Sequence, residues 1–337
     1  MIKEATEILS KQKDLTAMQM EAVMEEIMSG KVDTPQIVSF LTALNKQGET
    51  SEELSSAVNV MRRYATKVKT KRDIVLDTCG TGGDKKHTFN ISTAVAFVAS
   101  GAGIVVAKHG NRSVSSKSGS ADILEALGIN INMDKEKIEQ CLDDIGIAFL
   151  FAPNFHPAMK YAMPARKQMR AKTIFNFLGP LSNPAGATHQ LIGVYDSKWT
   201  NILADTLAKL GSKHALVVRG MDGLDEITTM AKTSVLEVRA GKLESKYEID
   251  PKDLGFREGG LSDFRGGTAA DNAKILLDIL KCKPHPARDI VVLNTAAAIY
   301  VADKVETIKD GIGLAAESID SKKALKKLEL LKEHSSK

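Results

Sequence analysis

The sequence reads DTCGTGGDKKHTFNIST at residues 77–93 and KHGNRSVSSKSGSADILEALG at residues 108–128. Both stretches are rich in glycine and hydroxyl side chains. Each follows an apolar run typical of a buried strand, at 74–76 and at 103–107. Loops of this kind between a strand and a helix bind phosphate through backbone N–H groups. We therefore expect both loops to face one pocket that binds an anion.

The first loop carries Gly80, Gly82 and Gly83, which predict positive φ angles and N–H groups turned toward an anion. The stretch 90–93, NIST, supplies N-cap residues before a predicted helix at 94–100. We expect this helix to begin with free N–H groups, which together with the helix dipole make a second anion site.

The second loop adds the cations Lys108, Arg112 and Lys117 among several serines. So many donors and positive charges suit a ligand with more than one phosphate group. Lys85 stands where a dinucleotide fingerprint has its third glycine, and the sequence contains no P-loop signature. The pattern therefore argues against hydride transfer and nucleotide hydrolysis.

The length of 337 residues and the change of pattern along the chain predict two domains. Residues 1–70 are predicted to be helical throughout and to form a small N-terminal helical bundle, whose surplus apolar face is suited to dimerisation. Residues 71–337 alternate strand and helix, which predicts an α/β domain with a mainly parallel central sheet flanked by helices. In such sheets ligands bind at the carboxyl ends of the strands. A proline-rich crossover segment around 165–187 is expected to lead back to the bundle.

The individual elements follow from local signals. Thr16 and Thr50 predict capping boxes, and Thr34-Pro35 predicts a helix start. The predicted strands are 104–107, 147–150, 191–194 and 215–218, with an antiparallel pair in 234–249; the predicted helices are 121–127, 135–144, 201–210, 268–280, 288–302 and 321–334.

The composition is ordinary for a globular protein, with 43% hydrophobic and 26% charged residues. No apolar run approaches the ~20 residues of a membrane span. The charged stretch MIKEATEILSKQKD at the start lacks the apolar core of a secretion signal. Three cysteines without metal-type spacing fit a reducing compartment, so we expect a cytoplasmic protein. A net charge of +4 is too mild to indicate a nucleic-acid partner.

Adjacent carboxylates at Asp225 and Glu226 follow a strand-like run and a glycine turn at 220–223. Adjacent carboxylates are common on protein surfaces. Beside a pocket for several phosphates they indicate Mg²⁺, which is typically held by one or two carboxylates together with substrate phosphates. Asp84 and the hydroxyl of Ser92 are further candidate ligands.

Taken together, the motifs resemble those of the anthranilate phosphoribosyltransferases of tryptophan biosynthesis over essentially the whole chain. The run from Lys108 to Gly128 is the most specific of them. The other matching motifs are GTGGD at 80–84, NIST at 90–93, FAPN at 151–154, HPAM at 156–159, Arg166, TIFN at 173–176, LGP at 178–180 and Asp225-Glu226.

The resemblance implies Mg²⁺-dependent transfer of a 5-phosphoribosyl group from phosphoribosyl pyrophosphate (PRPP) to the amine of anthranilate, with release of pyrophosphate. It also implies a homodimer built through the helical domain. Ser92, Asp225 and Glu226 would bind Mg²⁺. Gly80, Asn111 and Arg166 would contact anthranilate, with His109 and His156 close by. The residues that would hold PRPP are Gly80, Gly83, Asp84, Thr88, Asn90, Ile91, Ser92, Thr93, Lys108, His109, Gly110, Asn111, Arg112, Ser113, Val114, Ser115, Ser116 and Ser120.

The physical chemistry agrees with these roles. Arg166 can meet the anthranilate carboxylate with a planar pair of N–H donors, and Asn111 can add a hydrogen bond. An aromatic amine is largely neutral at pH 7 and needs no strong base to become a nucleophile. Stabilising the departing pyrophosphate and the cationic sugar is the harder task. We therefore expect no single indispensable general base.

Three positions depart from the family pattern. Lys172 stands where arginine is usual, Arg170 where glycine is common, and Phe155 where a second histidine is frequent. These departures concern only the anthranilate entrance.

Two alternatives remain open at this point. Pyrimidine nucleoside phosphorylases combine helical and α/β parts and also bind phosphate and a ribosyl group, but they have no need of Asp225-Glu226 and the KHGNR run. A non-catalytic relative of the same fold that binds nucleic acid is the other alternative, and the mild net charge argues against it.

Overall fold

The computed structural model describes residues 1–113 and 117–336. Val114, Ser115 and Ser116, which the resemblance assigns to PRPP, lie outside the described residues. The strands are β1 (Leu76–Asp77), β2 (Val106–Gly110), β3 (Ile147–Phe151), β4 (His189–Gly193), β5 (His214–Gly220), β6 (Thr233–Arg239) and β7 (Lys242–Ile249). The helices are α1 (Ile2–Ser10), α2 (Ala17–Met28), α3 (Thr34–Gln47), α4 (Ser51–Tyr64), α5 (Ile91–Gly101), α6 (Ser120–Ala126), α7 (Lys135–Asp144), α8 (Ala152–Phe155), α9 (Met159–Met169), α10 (Phe175–Leu181), α11 (Lys198–Lys209), α12 (Ala269–Leu280), α13 (Arg288–Val301), α14 (Ile308–Asp320) and α15 (Lys323–Ser336).

Helices α1 to α4 form the N-terminal bundle, as predicted. The capping boxes expected at Thr16 and Thr50 are present, and α3 begins at Thr34 as predicted, with Asp33 as its N-cap. Helix α4 ends at Tyr64, and the chain from there to β1 has neither helix nor strand, so the helical prediction for residues 1–70 fails beyond that point. The apolar faces of the bundle share one core with α9, α10 and α11.

One seven-stranded sheet forms the centre of the α/β part, in the order β3-β2-β1-β4-β5-β6-β7. The pairs from β3 to β5 are parallel, and β6 and β7 are antiparallel. The predicted, mainly parallel sheet is therefore confirmed. Strand β1 is very short: Leu76 pairs with Val106 on one side and with His189 on the other.

The two faces of the sheet belong to two cores. On β5, Leu216 and Val218 belong to a core that also contains apolar residues of α5, α12, α13, α14 and α15. Ala215 and Val217 on the same strand point to the core shared with the bundle. This alternation follows from the two-residue period of a strand, and it places the helical bundle directly against the sheet.

Helix α14 was not predicted, because Gly311 and Gly313 weaken the helical pattern. The structure shows why Gly311 is tolerated. A Cβ at this position would lie 2.6 Å from the backbone oxygen of Ala296, so glycine lets α14 pack closely against α13. Among the described residues, no helix is both long and apolar enough to cross a lipid bilayer.

Candidate active site

The first glycine loop leaves β1 and lies against the end of β4. The Thr81 N–H donates to the carbonyl of Gly193 at 2.9 Å, and Gly82 and Gly83 take φ angles of +63° and +86°. The expectation of a positive φ at Gly80 is wrong. The loop lies close to β4 at this point, because a Cβ on Gly80 would make a tight contact of 3.1 Å with the Gly193 carbonyl oxygen.

Helix α5 begins at Ile91, earlier than the predicted start at residue 94. The prediction that its first N–H groups are free is wrong. The Ile91 N–H donates to the carbonyl of Phe89 at 2.8 Å, and the N–H groups of Thr93 and Ala94 donate to the Asn90 carbonyl at 3.1 and 3.2 Å. Asn90 occupies the N-cap position, but its side chain makes no capping hydrogen bond.

Lys108 connects the two loops. Lys108, His109 and Gly110 lie within β2 rather than in the second loop, because all five residues of β2 pair with β3. The buried ammonium of Lys108 lies 3.3 Å from the hydroxyl oxygen of Ser92 and 3.5 Å from the carbonyl oxygen of Thr78. The structure therefore brings the start of the second loop against the first, as the sequence predicted.

The second loop runs from β2 to α6. A Cβ on Gly110 would meet the ring of Phe149 at 2.8 Å, so this strand end also requires glycine. The Ser120 hydroxyl donates to the Asn111 carbonyl at 3.3 Å. Arg112 is paired with carboxylates rather than free: it donates to Glu125 at 2.8 Å, and hydrogen bonds to Glu125 and Asp122 raise the pKa of its guanidinium.

Three carboxylates meet where β5 ends. Burial and the nearby Asp84 carboxylate raise the pKa of Asp225 to about 8. Burial and the charge of Asp225 also raise the pKa of Glu226 well above its usual range. One carboxylate oxygen of Asp84 is buried without a hydrogen-bond partner. Holding these buried carboxylates in their charged forms is therefore unfavourable without a cation between them.

This donor set fits Mg²⁺. Carboxylate and hydroxyl oxygens are the hard ligands that Mg²⁺ prefers, and the predicted set offers both, from Asp225 and Glu226 and from Ser92. Within residues 1–113 and 117–336, no three His, Cys, Asp or Glu side chains form a complete metal-binding group. Mg²⁺ usually keeps few protein ligands and completes its shell with phosphate oxygens and water. The arrangement therefore suits an ion shared with a phosphorylated ligand.

The backbone that carries Asp225 and Glu226 is fixed from both sides. A Cβ on Gly193 would overlap the backbone carbonyl of Asp225, so β4 and this segment touch through main chain. On the other side, the buried side chain of Asn294 on α13 accepts from the Ile227 N–H at 2.9 Å and donates to the Ile227 carbonyl at 2.7 Å. Sequence reasoning missed Asn294; the signal was one amide side chain between two apolar runs of α13, at 290–293 and 296–299.

His109 and His156 lie side by side, with ring centres 5.1 Å apart. Nδ1 of His109 donates to the Gly179 carbonyl at 2.9 Å, so Nε2 is the unprotonated nitrogen, and it has no hydrogen-bond partner. Burial and the neighbouring His156 lower the pKa of His109 to about 3. Burial lowers the pKa of His156 to about 4, and the backbone of Ser182 offsets this only slightly. Both rings are neutral at physiological pH.

Arg166 comes from the bundle side of the molecule. It lies on α9, and its guanidinium is 5.6 Å from the centre of the Phe175 ring. Both α9 and Phe175 belong to the core shared with the bundle, whereas His109 lies on β2. The residues assigned to anthranilate therefore come from both parts of the chain.

A third loop at residues 264–268 was not predicted. It pairs with the first loop in an antiparallel bridge: the Phe89 N–H donates to the Phe264 carbonyl, and the Gly266 N–H donates to the His87 carbonyl, both at 2.8 Å. Its sequence, FRGGT before α12, shows the same glycine and N-cap signal as the first loop, so the signal was available.

Lys172 also belongs to this region. Its ammonium donates to the carbonyl of Gly83 at 3.0 Å, and its own carbonyl accepts from the side chain of Asn45 on α3 at 2.8 Å. Lys172 therefore joins the bundle to the first glycine loop, so the expectation that its departure from the family pattern concerns only the anthranilate entrance is wrong. Nothing in the local sequence pattern distinguished it from an ordinary surface lysine.

Comparisons with known proteins agree with this architecture. Residues 3–65 match the helical bundle domain of a glycosyl transferase family, and residues 72–325 match its α/β domain. The anthranilate phosphoribosyltransferase of Petrotoga mobilis is 51% identical over 95% of this chain and 92% of its own.

Solved structures extend this similarity to the fold. The anthranilate phosphoribosyltransferase of Thermus thermophilus superposes with a TM-score of 0.93 at 36% identity, over 99% of both chains. The enzyme of Saccharomyces cerevisiae in complex with PRPP and Mg has a TM-score of 0.92 at 30% identity, over 99% of this chain and 98% of its own. The same yeast enzyme in complex with 4-fluoroanthranilate has a TM-score of 0.89 at 29% identity, over the same shares of both chains.

Proposed function

This chain belongs to the anthranilate phosphoribosyltransferases, and from that premise we propose which of its residues carry out the reaction. The enzyme is a pentosyltransferase of tryptophan biosynthesis. It transfers the 5-phosphoribosyl group of PRPP to the amine of anthranilate. A bond forms between the amine nitrogen and C1′ of the ribose, the bond from C1′ to pyrophosphate breaks, and the amine loses one proton.

PRPP is held by the first two loops. The observation that carries this assignment is the position of Lys108, a buried cation between Thr78 and Ser92 where the loops meet. Its charge is available to phosphate oxygens at the pocket, while the Gly80–Gly83 backbone leaves room for them to approach. The PRPP-binding residues given above from the resemblance remain our assignment.

Mg²⁺ is the cofactor, and Ser92, Asp225 and Glu226 are its proposed ligands. When bound, it neutralises the pyrophosphate and helps it leave. The raised pKa of Asp225, caused by burial and by Asp84, supports this assignment, because a group of buried carboxylates is stabilised by a divalent cation.

Anthranilate is bound by Gly80, Asn111 and Arg166, with His109 and His156 lining the site. Arg166 pairs with the substrate carboxylate. We assign no general base. With pKa values of about 3 and about 4, His109 and His156 are weak proton acceptors at physiological pH, and the aromatic amine is nucleophilic without one. Their neutral rings instead line the site without adding charge to it.

The proposed reaction and its metal ligands are tested by measuring the loss of anthranilate fluorescence in the presence of PRPP and Mg²⁺. We expect the wild type to consume anthranilate and the Asp225→Asn, Glu226→Gln variant to be nearly inactive. The control is Asp205→Asn, Glu244→Gln, which changes the charge equally at two exposed positions. If the wild type consumes no anthranilate, the function is wrong; if the double variant remains active, the metal assignment is wrong.

We further propose that the enzyme is a homodimer formed through the helical domain. Large apolar side chains at a surface indicate contact with another chain. Met18 on α2 is 81% exposed, and Tyr161 and Met163 are exposed on α9, which packs in the core of the bundle although it lies outside residues 1–70. Analytical ultracentrifugation tests it: we expect a dimer for the wild type and a monomer for Tyr161→Lys. A wild-type monomer at micromolar concentration contradicts the proposal.

The domain limits and the compartment are proposals as well. We propose domains at residues 1–70 and 71–337, joined by a crossover segment at 165–187; Ala165, Ile174 and Phe175 in the shared core support it.

We propose a cytoplasmic location, which three unpaired cysteines support, since cytosolic thiols stay reduced. Limited proteolysis and cell fractionation test the two proposals.

A further inference from the structure

Asn272, on the first turns of α12, makes hydrogen bonds to three different loops. It is only 3% exposed. Its Oδ1 accepts from the Gly267 N–H at 2.7 Å. Its Nδ2 donates to the Ser118 hydroxyl oxygen at 2.8 Å and to Oδ1 of Asn90 at 3.1 Å. One buried amide thus contacts the third loop, the second loop and the first.

The direction of these hydrogen bonds is fixed. A backbone N–H can only donate, so Oδ1 of Asn272 must face Gly267, and its NH₂ group must face Asn90. Asn90 in turn must present its oxygen to Asn272. Its own NH₂ group is then turned away from Asn272. The orientation of one amide therefore determines that of the next.

This orientation matters for an anionic ligand. An asparagine can meet a phosphate oxygen only with its NH₂ group, because its carbonyl oxygen would repel the phosphate. Asn90 lies at the start of α5, two residues from Ser92, where its side chain makes no capping bond to its own helix. Of the two orientations of the Asn90 amide, the one imposed by Asn272 is the one suited to phosphate.

The surrounding backbone keeps this arrangement in place. A Cβ on Gly266 would lie 2.8 Å from Oδ1 of Asn272 and 2.7 Å from the Thr88 carbonyl oxygen, so the third loop packs directly on the first. The Asn272 side chain lies beside this contact and forms hydrogen bonds to both loops. A residue without both a donor and an acceptor at this place cannot satisfy Gly267 and Asn90 together.

We propose that Asn272 is a positioning residue for PRPP, which orients the amide of Asn90 so that its NH₂ group faces the phosphates. The inference rests on the proposed function, because it takes PRPP as the ligand of Asn90. Asn272 itself does not touch the substrate in this proposal.

The experiment is a double-mutant cycle of Asn272→Leu and Asn90→Ala. Leucine has nearly the shape of asparagine without its polar groups. We expect Asn272→Leu to raise the KM for PRPP about tenfold, as befits a lost hydrogen bond to a charged group, and to leave the KM for anthranilate within about twofold. In the Asn90→Ala background, Asn272→Leu should raise the KM for PRPP little further, because the Asn90 amide that Asn272 orients is already absent.

Asn272→Asp provides a second variant of matching shape. It still accepts from Gly267 but cannot donate to Asn90, so the KM for PRPP should rise although the fold is kept. Asn130→Ala is the control: its amide bonds to the Ser335 carbonyl at 3.2 Å, away from the three loops. Its KM values should equal those of the wild type. Melting temperatures of all variants separate lost stability from lost binding.

Each outcome is decisive. An inactive wild type overturns the proposed function, not the role of Asn272. If the wild type is active and Asn272→Leu lowers only the melting temperature, Asn272 is merely structural. If the effects of Asn272→Leu and Asn90→Ala multiply, Asn272 does not act through Asn90, and the proposal is wrong.

Discussion

The ammonium of Lys172 lies 3.0 Å from the centre of the Tyr195 ring. A cation over an aromatic face is attracted by the electrons of the ring, and this contact holds the Lys172 side chain where it donates to the Gly83 carbonyl. The first glycine loop is therefore tied to a lysine whose backbone bonds to the bundle through Asn45.

Lys172→Met should loosen the glycine loop. A cation–π contact contributes about 1 kcal/mol, so we expect roughly a fivefold rise in the KM for PRPP. Lys172→Arg should stay near the wild type, since arginine keeps the charge and the stacking. The control is Lys198→Met, which removes a lysine 5.0 Å from the Trp199 ring. An unchanged KM in Lys172→Met would show that the contact does not order the loop.

Gly193→Ala should inactivate the enzyme, because the added methyl group would overlap the Asp225 carbonyl. The segment with Asp225 and Glu226 must then move. We expect activity to fall about a hundredfold, as for other displacements of about 1 Å in active sites, and stability to fall by about 1–3 kcal/mol. Steady-state kinetics measures the loss of activity, and urea unfolding measures the loss of stability.

The control for this change is Gly313→Ala on α14. A Cβ at that position meets nothing within 4 Å, so alanine should stabilise the helix by about 0.5–1 kcal/mol without loss of activity. Wild-type activity in Gly193→Ala would mean that the Asp225 backbone has room to relax.

The two neutral histidines predict a stability that falls in mild acid. Burial lowers the pKa of His156 to about 4, whereas a histidine in the unfolded chain takes up its proton near pH 6.5. Between these values the unfolded state binds more protons, so lowering the pH favours unfolding. The loss should be about 2 kcal/mol for His156 between pH 7 and 5. In urea unfolding between pH 7 and 5, the free energy of unfolding should depend less steeply on pH in His156→Gln than in the wild type. An unchanged pH dependence would refute the lowered pKa of His156.

Tyr300→Phe tests the polar network behind the sheet. Burial alone would raise the pKa of Glu237, but hydrogen bonds from His214 and Tyr300 outweigh it and lower the pKa to about 2. The bond from Tyr300 is 2.6 Å long, and its loss should cost about 2 kcal/mol at pH 7. Because a lowered carboxyl pKa stabilises the fold above pH 4.5, the difference should shrink as the pH falls from 4.5 toward 2.

Tyr64→Phe is the matched control for Tyr300→Phe. Tyr64 donates to Glu25 at 2.7 Å, but the Glu25 side chain is 40% exposed, against 6% for Glu237. Water can replace the lost bond at Glu25, so the loss of unfolding free energy should be clearly smaller. Equal losses in the two variants would show that burial does not decide the strength of these bonds.

The sequence was sufficient for the architecture, because helix caps and alternating strands are local signals. Thr16 and Thr50 begin their helices as predicted, and the parallel sheet follows from the alternation of elements. The first two loops were found for the same reason, since glycines and hydroxyl residues beside strands are visible without a structure.

What the sequence could not supply depends on distant contacts. The space at Gly80 is limited by Gly193, and α14 tolerates Gly311 because of Ala296. The first loop is joined to the third because Phe264, far along the chain, accepts from the Phe89 N–H. Asn272 and Asn294 act on loops remote in sequence, and an amide within a helical pattern gives no sign of its partner.

The short central strand has a mechanical consequence. Strand β2, which carries Lys108 and His109, pairs with β3 along its full length, whereas β1 spans only Leu76–Asp77. The loop with Gly80 and Asp84 therefore follows the shortest strand of the sheet, and contacts outside the ladder hold it: the Thr81 N–H donates to the Gly193 carbonyl, and the Gly83 carbonyl accepts from Lys172. The base of the second loop is held by the ladder between β2 and β3 instead. The two sides of the pocket are thus fixed by different means, so a substitution such as Lys172→Met reaches the first loop without disturbing the base of the second.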